Sequence, residues 1–195
     1  MKHNLTLDYN KLIGRTTLLY GEANTKKTLL TSKFVQFLIE SKNVPPQDIT
    51  ILDFAPHLII FKDLKIGGKV KDFYKQSSTC RYPLIKGEII PPRLNSRNKK
   101  ELYTFACDNF RKAYEILNLF IEDPTPLLII NDISIYLQIG SINLILKAIS
   151  KSNTFFGNSY YGSSIKSDYS SLFSLREKQK VESLIKEVDN SYSTD

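Results

Sequence analysis

The sequence predicts an α/β fold, a three-layer sandwich whose mostly parallel sheet of four or five strands lies between helices. Short β-prone runs alternate along the chain with longer segments of helical periodicity, which is the pattern of a parallel sheet. Residues 127–130 are apolar at every position, as in a strand covered on both faces. The 195 residues are 42% hydrophobic and 24% charged, which suits a single domain and excludes a disordered or collagen-like chain.

The first half of the chain supplies two strands and one helix of the predicted fold. Residues 16–20 are β-prone and end at Gly21, so they predict the first strand. Residues 27–41 carry apolar side chains at helical spacing until Pro45 and the next proline end the helix. Residues 49–54 then predict a second, buried strand.

The second half begins with a basic, loop-rich elaboration over residues 62–98, whose glycines and prolines leave room for a hairpin at most. Residues 99–122 predict a long amphipathic helix, which precedes the apolar strand. Residues 141–150 and 154–161 predict a further helix and strand.

A Ser- and Tyr-rich loop is predicted over residues 162–171. Ser174 and Glu177 have the spacing of a capping box and predict the start of a final helix. The whole chain, residues 1–195, is therefore expected to form one domain.

Several classes of protein and site are disfavoured by composition. No apolar run reaches the roughly 18 to 20 residues of a membrane-spanning helix, and the polar first ten residues lack a signal peptide, so we expect a cytoplasmic protein without membrane contact. Cys80 and Cys107 lie too far apart for a cysteine zinc site, and His3 and His57 are too few for a histidine metal centre.

Positive charge is concentrated in one segment. The segment from Lys62 to Lys100 holds eleven lysine and arginine residues and three acidic residues, so it carries 11 − 3 = +8. This more than accounts for the formal net charge of +7. Such a cluster, with Phe73, Tyr74 and Tyr82 interleaved, favours contact with phosphate or with a nucleic-acid strand. A solvated, lysine-rich surface is the equally favoured alternative. The cations are Lys62, Lys65, Lys69, Lys71, Lys75, Arg81, Lys86, Arg93, Arg97, Lys99 and Lys100.

The sharpest local signal lies between the first strand and the first helix. A glycine, a lysine and a hydroxyl residue have the spacing of a phosphate-binding Walker A loop, in which backbone N–H groups surround phosphate and the hydroxyl holds Mg²⁺. Lys26 stands where glycine is expected, and Asn24 tolerates left-handed geometry. The alternative is a simple turn followed by a charged helix start. The predicted loop comprises Gly21, Glu22, Ala23, Asn24, Thr25, Lys26, Lys27 and Thr28.

A second signal is the apolar strand that runs into Asn131 and Asp132. An acidic side chain at the carboxyl end of such a strand would lie beside the loop and could hold Mg²⁺ together with Thr28. Asp132 is the better candidate because only a carboxylate brings charge to the ion. An apolar strand ending in aspartate is also common in α/β proteins generally.

Together, Gly21, Lys27, Thr28, the strand ending at Asp53 and the strand ending at Asp132 resemble the P-loop NTPase superfamily, most closely the RecA/KaiC-like ATPases. The resemblance implies that ATP or another nucleoside triphosphate binds with Mg²⁺. It further implies that Lys27 neutralises developing phosphate charge and that Asp53 positions the attacking water. A carboxylate that caps the following turn is the alternative for Asp53.

Two further places are candidates for the same site. Arg93 follows two prolines and could present its guanidinium to a phosphate, although a surface arginine without a partner is the favoured interpretation. Residues 158–162 follow a predicted strand and either approach the nucleotide or place Tyr160 and Tyr161 in the core.

These patterns predict an ATP-binding P-loop protein, a weak or partner-dependent ATPase of RecA-like type. A homo-oligomer or a protein partner is a further expectation, since RecA-like sites are often completed across subunits. Two alternatives stay open: a non-catalytic RecA-like paralogue that binds nucleic acid through the basic segment, and a nucleotide or small-molecule kinase.

Overall fold

A computed structural model describes residues 5–61, 64–165 and 169–195. The strands are β1 (Thr16–Gly21), β2 (Ile49–Asp53), β3 (Ile59–Phe61), β4 (Leu64–Ile66), β5 (Leu127–Asn131), β6 (Thr154–Tyr160) and β7 (Asn190–Ser193). The helices are α1 (Lys27–Gln36), α2 (Val70–Phe73), α3 (Pro92–Asn95), α4 (Lys99–Glu122), α5 (Ile133–Leu137), α6 (Ile142–Ile149) and α7 (Ser171–Glu187). None of the helices in these ranges combines the length and apolar character needed to cross a bilayer.

The central sheet confirms the predicted α/β class. Its five strands are all parallel and lie in the order β2-β5-β6-β1-β7. The edge strand β7 was not predicted, because Asn190–Ser193 is polar and only half-buried and so carries no apolar pattern. Pairing with β1, rather than local sequence, fixes its conformation.

Helices cover both faces of the sheet, which gives the predicted three layers. Leu19, Ile51, Ile129 and Phe156 point to the face covered by α1, where Phe34, Val35 and Leu38 complete the core. Leu18, Leu52, Leu128, Ile130 and Phe155 point to the opposite face, which packs against α4, α5, α6 and α7. The apolar side chains of each strand thus alternate between two hydrophobic cores.

The connections between strands leave a crevice at the carboxyl ends of the central strands. From β1 the chain crosses to β2 over the α1 face, whereas from the neighbouring β6 it crosses to β7 through α7 over the opposite face. Two crossover connections of the same handedness that run in opposite directions along a sheet must pass over opposite faces of that sheet. Chains that diverge in this way open a crevice beyond the carboxyl ends of β1 and β6, which is where α/β proteins bind ligands.

The helices differ from the sequence predictions in three details. The first helix is α-helical only to Gln36 and continues as a π-helical turn over Phe37–Ser41. The final helix begins at Ser171, and the N–H of Ser174 bonds to the carbonyl of Ser170, so the capping-box residues lie inside the helix. The short helix α5 was not predicted.

The basic elaboration holds more structure than the predicted loop. It contains β4, α2, a 3-10 helix over Lys75–Thr79 and α3. The hairpin anticipated there is the antiparallel pair of β3 and β4, which begins before residue 62. Residues 62 and 63 lie outside the described residues. By contrast, α4 has the bounds predicted from its periodicity, with Asn98 accepting the N–H of Glu101 as its N-cap.

Candidate phosphate-binding site

The loop between β1 and α1 adopts left-handed backbone geometry at two non-glycine residues. Asn24 has φ +60° and Lys26 has φ +65°, and Lys26 is the N-cap of α1. The left-handed region is favourable for glycine and strained for most other residues. Lys26 therefore adopts the conformation that the missing glycine would supply, and Asn24 carries part of the turn as predicted.

The amino terminus of α1 faces an open cavity. The first bond of the helix runs from the N–H of Leu30 to the carbonyl of Lys26, at 2.9 Å. The preceding N–H groups of Lys27, Thr28 and Leu29 have no carbonyl one turn earlier in the helix, so they point outward with the positive end of the helix dipole. This arrangement favours an anion.

The cavity encloses about 310 Å³ and is chemically divided. Loop residues, Asp132 and Asn158 form its polar side, while Leu58, Ile66 and Phe73 form an apolar side. Residues 23–28 of the loop thus face the cavity.

The ammonium of Lys27 lies inside the loop. Its Nζ donates to the carbonyl of Gly21 at 2.9 Å, to the carbonyl of Glu22 and to Oγ1 of Thr25 at 3.1 Å. Burial lowers the pKa of Lys27 to about 8, against the opposing effect of the carboxylates of Asp132, Asp195 and Glu22. The site consequently holds a desolvated cation whose charge is balanced by carboxylates and carbonyls.

A buried amide connects the strand ends beneath the cavity. The Nδ2 of Asn131 donates to Oδ1 of Asp53 at 2.8 Å and to the carbonyl of Gly68 at 3.0 Å. Its Oδ1 accepts from Nδ2 of Asn158 at 2.8 Å and from the hydroxyl of Thr28 at 3.2 Å. All four hydrogen-bonding positions of the amide are used. The ends of β2, β5 and β6 and the first turn of α1 are thereby held together.

The two predicted metal ligands line the same cavity. The hydroxyl of Thr28 faces Asn131, whereas Asp132 has φ +58° and its carboxylate accepts from the hydroxyl of Ser134 at 2.6 Å. Burial raises the pKa of Asp132, against the opposing charges of Lys27 and Arg93. Within the described ranges no group of three or more His, Cys, Asp or Glu side chains is placed to hold a metal. One carboxylate and one hydroxyl fit Mg²⁺, which commonly keeps waters and phosphate oxygens as its other ligands.

Asp53 lies beneath the cavity and is 2% exposed. Besides Asn131, its carboxylate accepts from the N–H of Val70 at 2.8 Å and from the hydroxyl of Tyr82, and Lys69 lies 3.8 Å away. Burial raises its pKa. Its Oδ1 also accepts from the N–H of Ala55 at 3.3 Å, which matches the alternative of a carboxylate that caps the next turn. Its role in positioning water stays a prediction.

Ser163, Ser164 and Asp195 also contact the loop, and the sequence patterns did not predict these contacts. The carboxylate of Glu22 accepts hydrogen bonds from the backbone and hydroxyl groups of Ser163 and Ser164. The N–H of Glu22 donates to Oδ1 of Asp195 at 2.7 Å. Gly21 itself has φ +150°, a backbone conformation that favours glycine. No local pattern marks these residues, because the contacts span more than 140 positions.

Residues 158–162 are divided between the cavity and the packed interior. Asn158 and Tyr160 line the cavity. Tyr161 packs edge-on against Tyr20, at 5.5 Å between ring centroids, and its hydroxyl donates to Glu182.

Arg93 is not the surface residue that was favoured. It is 8% exposed and lies 2.6 Å from the carboxylate of Glu177, which is 3% exposed. Its guanidinium lies next to the rings of Tyr160 and Phe173. A positive charge that looked unpaired in the sequence is paired in the fold.

Other cations of the basic segment are also engaged. Lys69 donates to the carbonyls of Asp53 and Ala55, Arg81 pairs with Asp123 at 2.7 Å, and Lys86 pairs with Glu115 at 3.1 Å. Of the segment's described cations, Lys65 lines the cavity. The folded segment is therefore a less uniform positive surface than its sequence suggests.

No family model matches the chain, and no curated protein shows significant sequence similarity to it. The functional interpretation accordingly depends on the geometry of this site.

Asn131→Ala tests whether the buried amide holds the strand ends together. We expect a loss of about 2–4 kcal/mol in the free energy of unfolding, because buried polar groups of Asp53 and Asn158 lose a partner. Denaturant unfolding measures it. Asn118→Ala is the matched control, since it removes one bond from a partly buried amide to the carbonyl of Tyr114. Equal losses in the two variants would contradict the assignment.

Lys26→Gly tests the backbone strain in the loop. We expect a gain of about 1 kcal/mol in stability, because glycine adopts positive φ without steric conflict. Lys33→Gly, at an exposed position within α1, should instead lose about 1 kcal/mol through helix propensity. Thermal unfolding of both variants gives the comparison, and the same sign of change in both would refute the proposed strain.

Proposed function

We propose that the loop over residues 21–28 binds the phosphate groups of a nucleoside triphosphate with Mg²⁺, and that the protein is an ATP-binding P-loop protein of RecA-like type. The observation that carries the proposal is the open cavity at the amino terminus of α1, lined by Lys27, Thr28 and Asp132. Phosphate is favoured there by the helix dipole, by free helix-terminal N–H groups and by a buried cation.

Lys27, Asp132 and Thr28 have separate chemical roles in this site. Lys27 neutralises phosphate charge, exchanging its contacts with the loop carbonyls for phosphate oxygens. Asp132 and the hydroxyl of Thr28 hold Mg²⁺ through oxygen ligands and bound water. When bound, the ion stabilises charge on the transferring phosphoryl group. Phosphoryl transfer depends mainly on such positioning and electrostatics.

We infer that hydrolysis is weak or requires a partner. Asp53 is the carboxylate assigned to positioning water, and its oxygens are committed to Asn131, Val70 and Tyr82. A carboxylate with its acceptor positions occupied is poorly placed to take a proton from water. A change in the contacts of Asp53 or an additional residue from a partner would then be needed for rapid turnover.

A kinase is the second candidate, and one observation favours it. The apolar side of the cavity, with Leu58, Ile66 and Phe73, offers surface that a phosphate chain does not use. An acceptor with an apolar part would fit there, beside Lys65. Formation of a phosphorylated product from a panel of nucleotides and small alcohols would distinguish transfer from hydrolysis.

Lys27→Ala tests the proposed function directly. Calorimetry with ADP and ATP, with and without Mg²⁺, should detect binding to the wild-type protein. The variant should bind at least about tenfold more weakly, since it loses a charge-assisted contact. Lys33→Ala, which removes an exposed charge from the same helix, should bind like the wild type.

Asp132→Asn completes this experiment by testing the metal. It should keep binding without Mg²⁺ and lose the increase in affinity that Mg²⁺ gives. Absence of nucleotide binding to the wild type, or undiminished binding to Lys27→Ala, would overturn the proposal.

The pH dependence of binding gives an independent prediction. Because the pKa of Lys27 is lowered to about 8, the side chain is charged below that pH and neutral above it. Affinity for ADP should therefore fall between pH 7.5 and about 9.5. Lys27→Arg, which stays charged, should show a smaller fall.

The ligand-free protein should show the opposite trend in stability. The pKa of Lys27 is lower in the folded chain than in the unfolded chain, so the unfolded state binds more protons above about pH 8. The contribution of Lys27 to stability thus rises with pH from about 8 to its ordinary value near 10.5. Lys27→Met should abolish this rise, as measured by denaturant unfolding at each pH. An unchanged pH profile in Lys27→Met would contradict the assignment.

A further inference from the structure

The carboxylate of Glu22 is held by the segment that follows β6. The backbone N–H groups of Ser163 and Ser164 donate to it, and so do both of their hydroxyls. Burial alone would raise the pKa of Glu22, but these hydrogen bonds outweigh burial and lower the pKa. Hydrogen bonds to a charged group are stronger than those between neutral groups. This contact of Glu22 with Ser163 and Ser164, which we call the strap, ties the loop over residues 21–28 to a distant part of the chain.

The backbone of Glu22 is held as firmly as its side chain. Its N–H donates to Oδ1 of Asp195 at 2.7 Å. Its carbonyl accepts from the hydroxyl of Thr25 at 2.9 Å and from the ammonium of Lys27. Every polar group of Glu22 therefore has a partner, and one of these partners is the cation assigned to phosphate.

The ammonium of Lys27 is satisfied by the loop in this arrangement. It donates to the carbonyls of Gly21 and Glu22 and to the hydroxyl of Thr25. An ammonium group has three N–H donors, so these contacts use all of them. Lys27 must therefore give up contacts within the loop before it can bind phosphate.

The strap lies at the rim of the large cavity. Ala23 follows Glu22 in the chain and Ile165 follows Ser164, and both of these neighbours line the cavity. The N–H of Ile165 also donates to the hydroxyl of Tyr160 at 3.2 Å, and Tyr160 lines the cavity too. The strap thus connects the loop with the wall that follows β6, and the two can separate only if it opens.

We propose that the strap is an autoinhibitory contact, and that Glu22 is a positioning residue which keeps the ammonium of Lys27 on the loop carbonyls until phosphate displaces it. The inference rests on the proposed function of the loop. When phosphate draws the ammonium away, the carbonyl of Glu22 loses its charged partner, the loop shifts and the carboxylate leaves its serine donors. The apparent affinity of a ligand is reduced when only a fraction of the protein is in the binding-competent form, so a variant that opens the strap should bind more tightly.

Gly162→Ala opens the strap and keeps every charge. A Cβ at this position would lie 2.3 Å from the carboxylate carbon of Glu22, so the carboxylate must move, while the φ of Gly162 is not positive and alanine tolerates it. Calorimetry with ADP and Mg²⁺ should show an affinity about tenfold higher than that of the wild type. Denaturant unfolding of the ligand-free variant should show a loss of stability. A merely structural contact would give the loss of stability without the gain in affinity.

Glu22→Gln tests the same contact from the loop side. It keeps the size of the side chain, but its amide nitrogen cannot accept from a backbone N–H, so the strap weakens and affinity for ADP should rise. Glu115→Gln is the control, because it removes the same charge from an exposed ion pair with Lys86 and should leave affinity unchanged. If both variants act through the strap, adding Gly162→Ala to Glu22→Gln should give little further gain. Fully additive gains would contradict the assignment.

Amide hydrogen exchange, followed by NMR, reports the opening of the strap directly. The N–H groups of Ser163 and Ser164 are bonded to Glu22 in the ligand-free chain, and exchange needs these bonds to open. ADP should therefore speed exchange at both serines. The N–H of Ile165, which is bonded to Tyr160, is the control within the same segment and should not become faster. Unchanged or slower exchange at both serines would contradict release of the carboxylate.

The two proposals fail in distinguishable ways. If the wild type binds no nucleotide, the proposed function is wrong and this inference falls with it. If the wild type binds ADP, but Gly162→Ala and Glu22→Gln bind it no more tightly, then the inference alone is overturned.

Discussion

The arrangement of this site depends on one buried amide. The side chain of Asn131 uses two donors and two acceptor positions to connect Asp53, Gly68, Asn158 and Thr28. These residues belong to different strands, to the segment after β4 and to the first turn of α1. A fully satisfied polar network in a low-dielectric interior is favourable, whereas a partly satisfied one is costly. The network therefore favours one relative placement of the strand ends, and with it the position of the loop above them.

Above this network the site holds features that are unfavourable in isolation. Lys26 and Asp132 adopt left-handed backbone geometry, and Lys27 is desolvated enough to lower its pKa to about 8. Strained backbone and buried charge are found together at functional sites because surrounding structure supports them. Here the support comes from Asn131 below and from Glu22, Ser163 and Ser164 at the rim.

The basic segment illustrates how charge in a sequence differs from charge on a surface. Lys69 and Arg93 point inward, where Asp53 and Glu177 compensate them. Arg81 and Lys86 form exposed pairs that contribute little to stability and reduce the local positive field. Lys71, Lys75 and Lys99 stay exposed, so the described cations of the segment are divided between the interior and the surface. Of these described cations, Lys65 lines the large cavity, and Arg93 lines the small cavity that Asp132 also lines.

The sequence by itself determined the α/β class, the bounds of α4, the positions of β1, β2, β5 and β6, and the turn between β1 and α1. Each depends on residues close together in the chain: apolar runs, helical spacing, and a turn followed by a helix. The left-handed turn at Asn24 was foreseeable for the same reason.

Tertiary structure alone decided β7, the buried pairing of Arg93, the committed carboxylate of Asp53 and the role of Asn131. Each depends on partners distant in sequence, such as β1 for β7 and Glu177 for Arg93. From sequence alone, a polar strand or a charged residue is expected to be exposed, because its partner is distant in the chain. Local pattern therefore determined where the candidate loop lies, and long-range contacts determined what surrounds it.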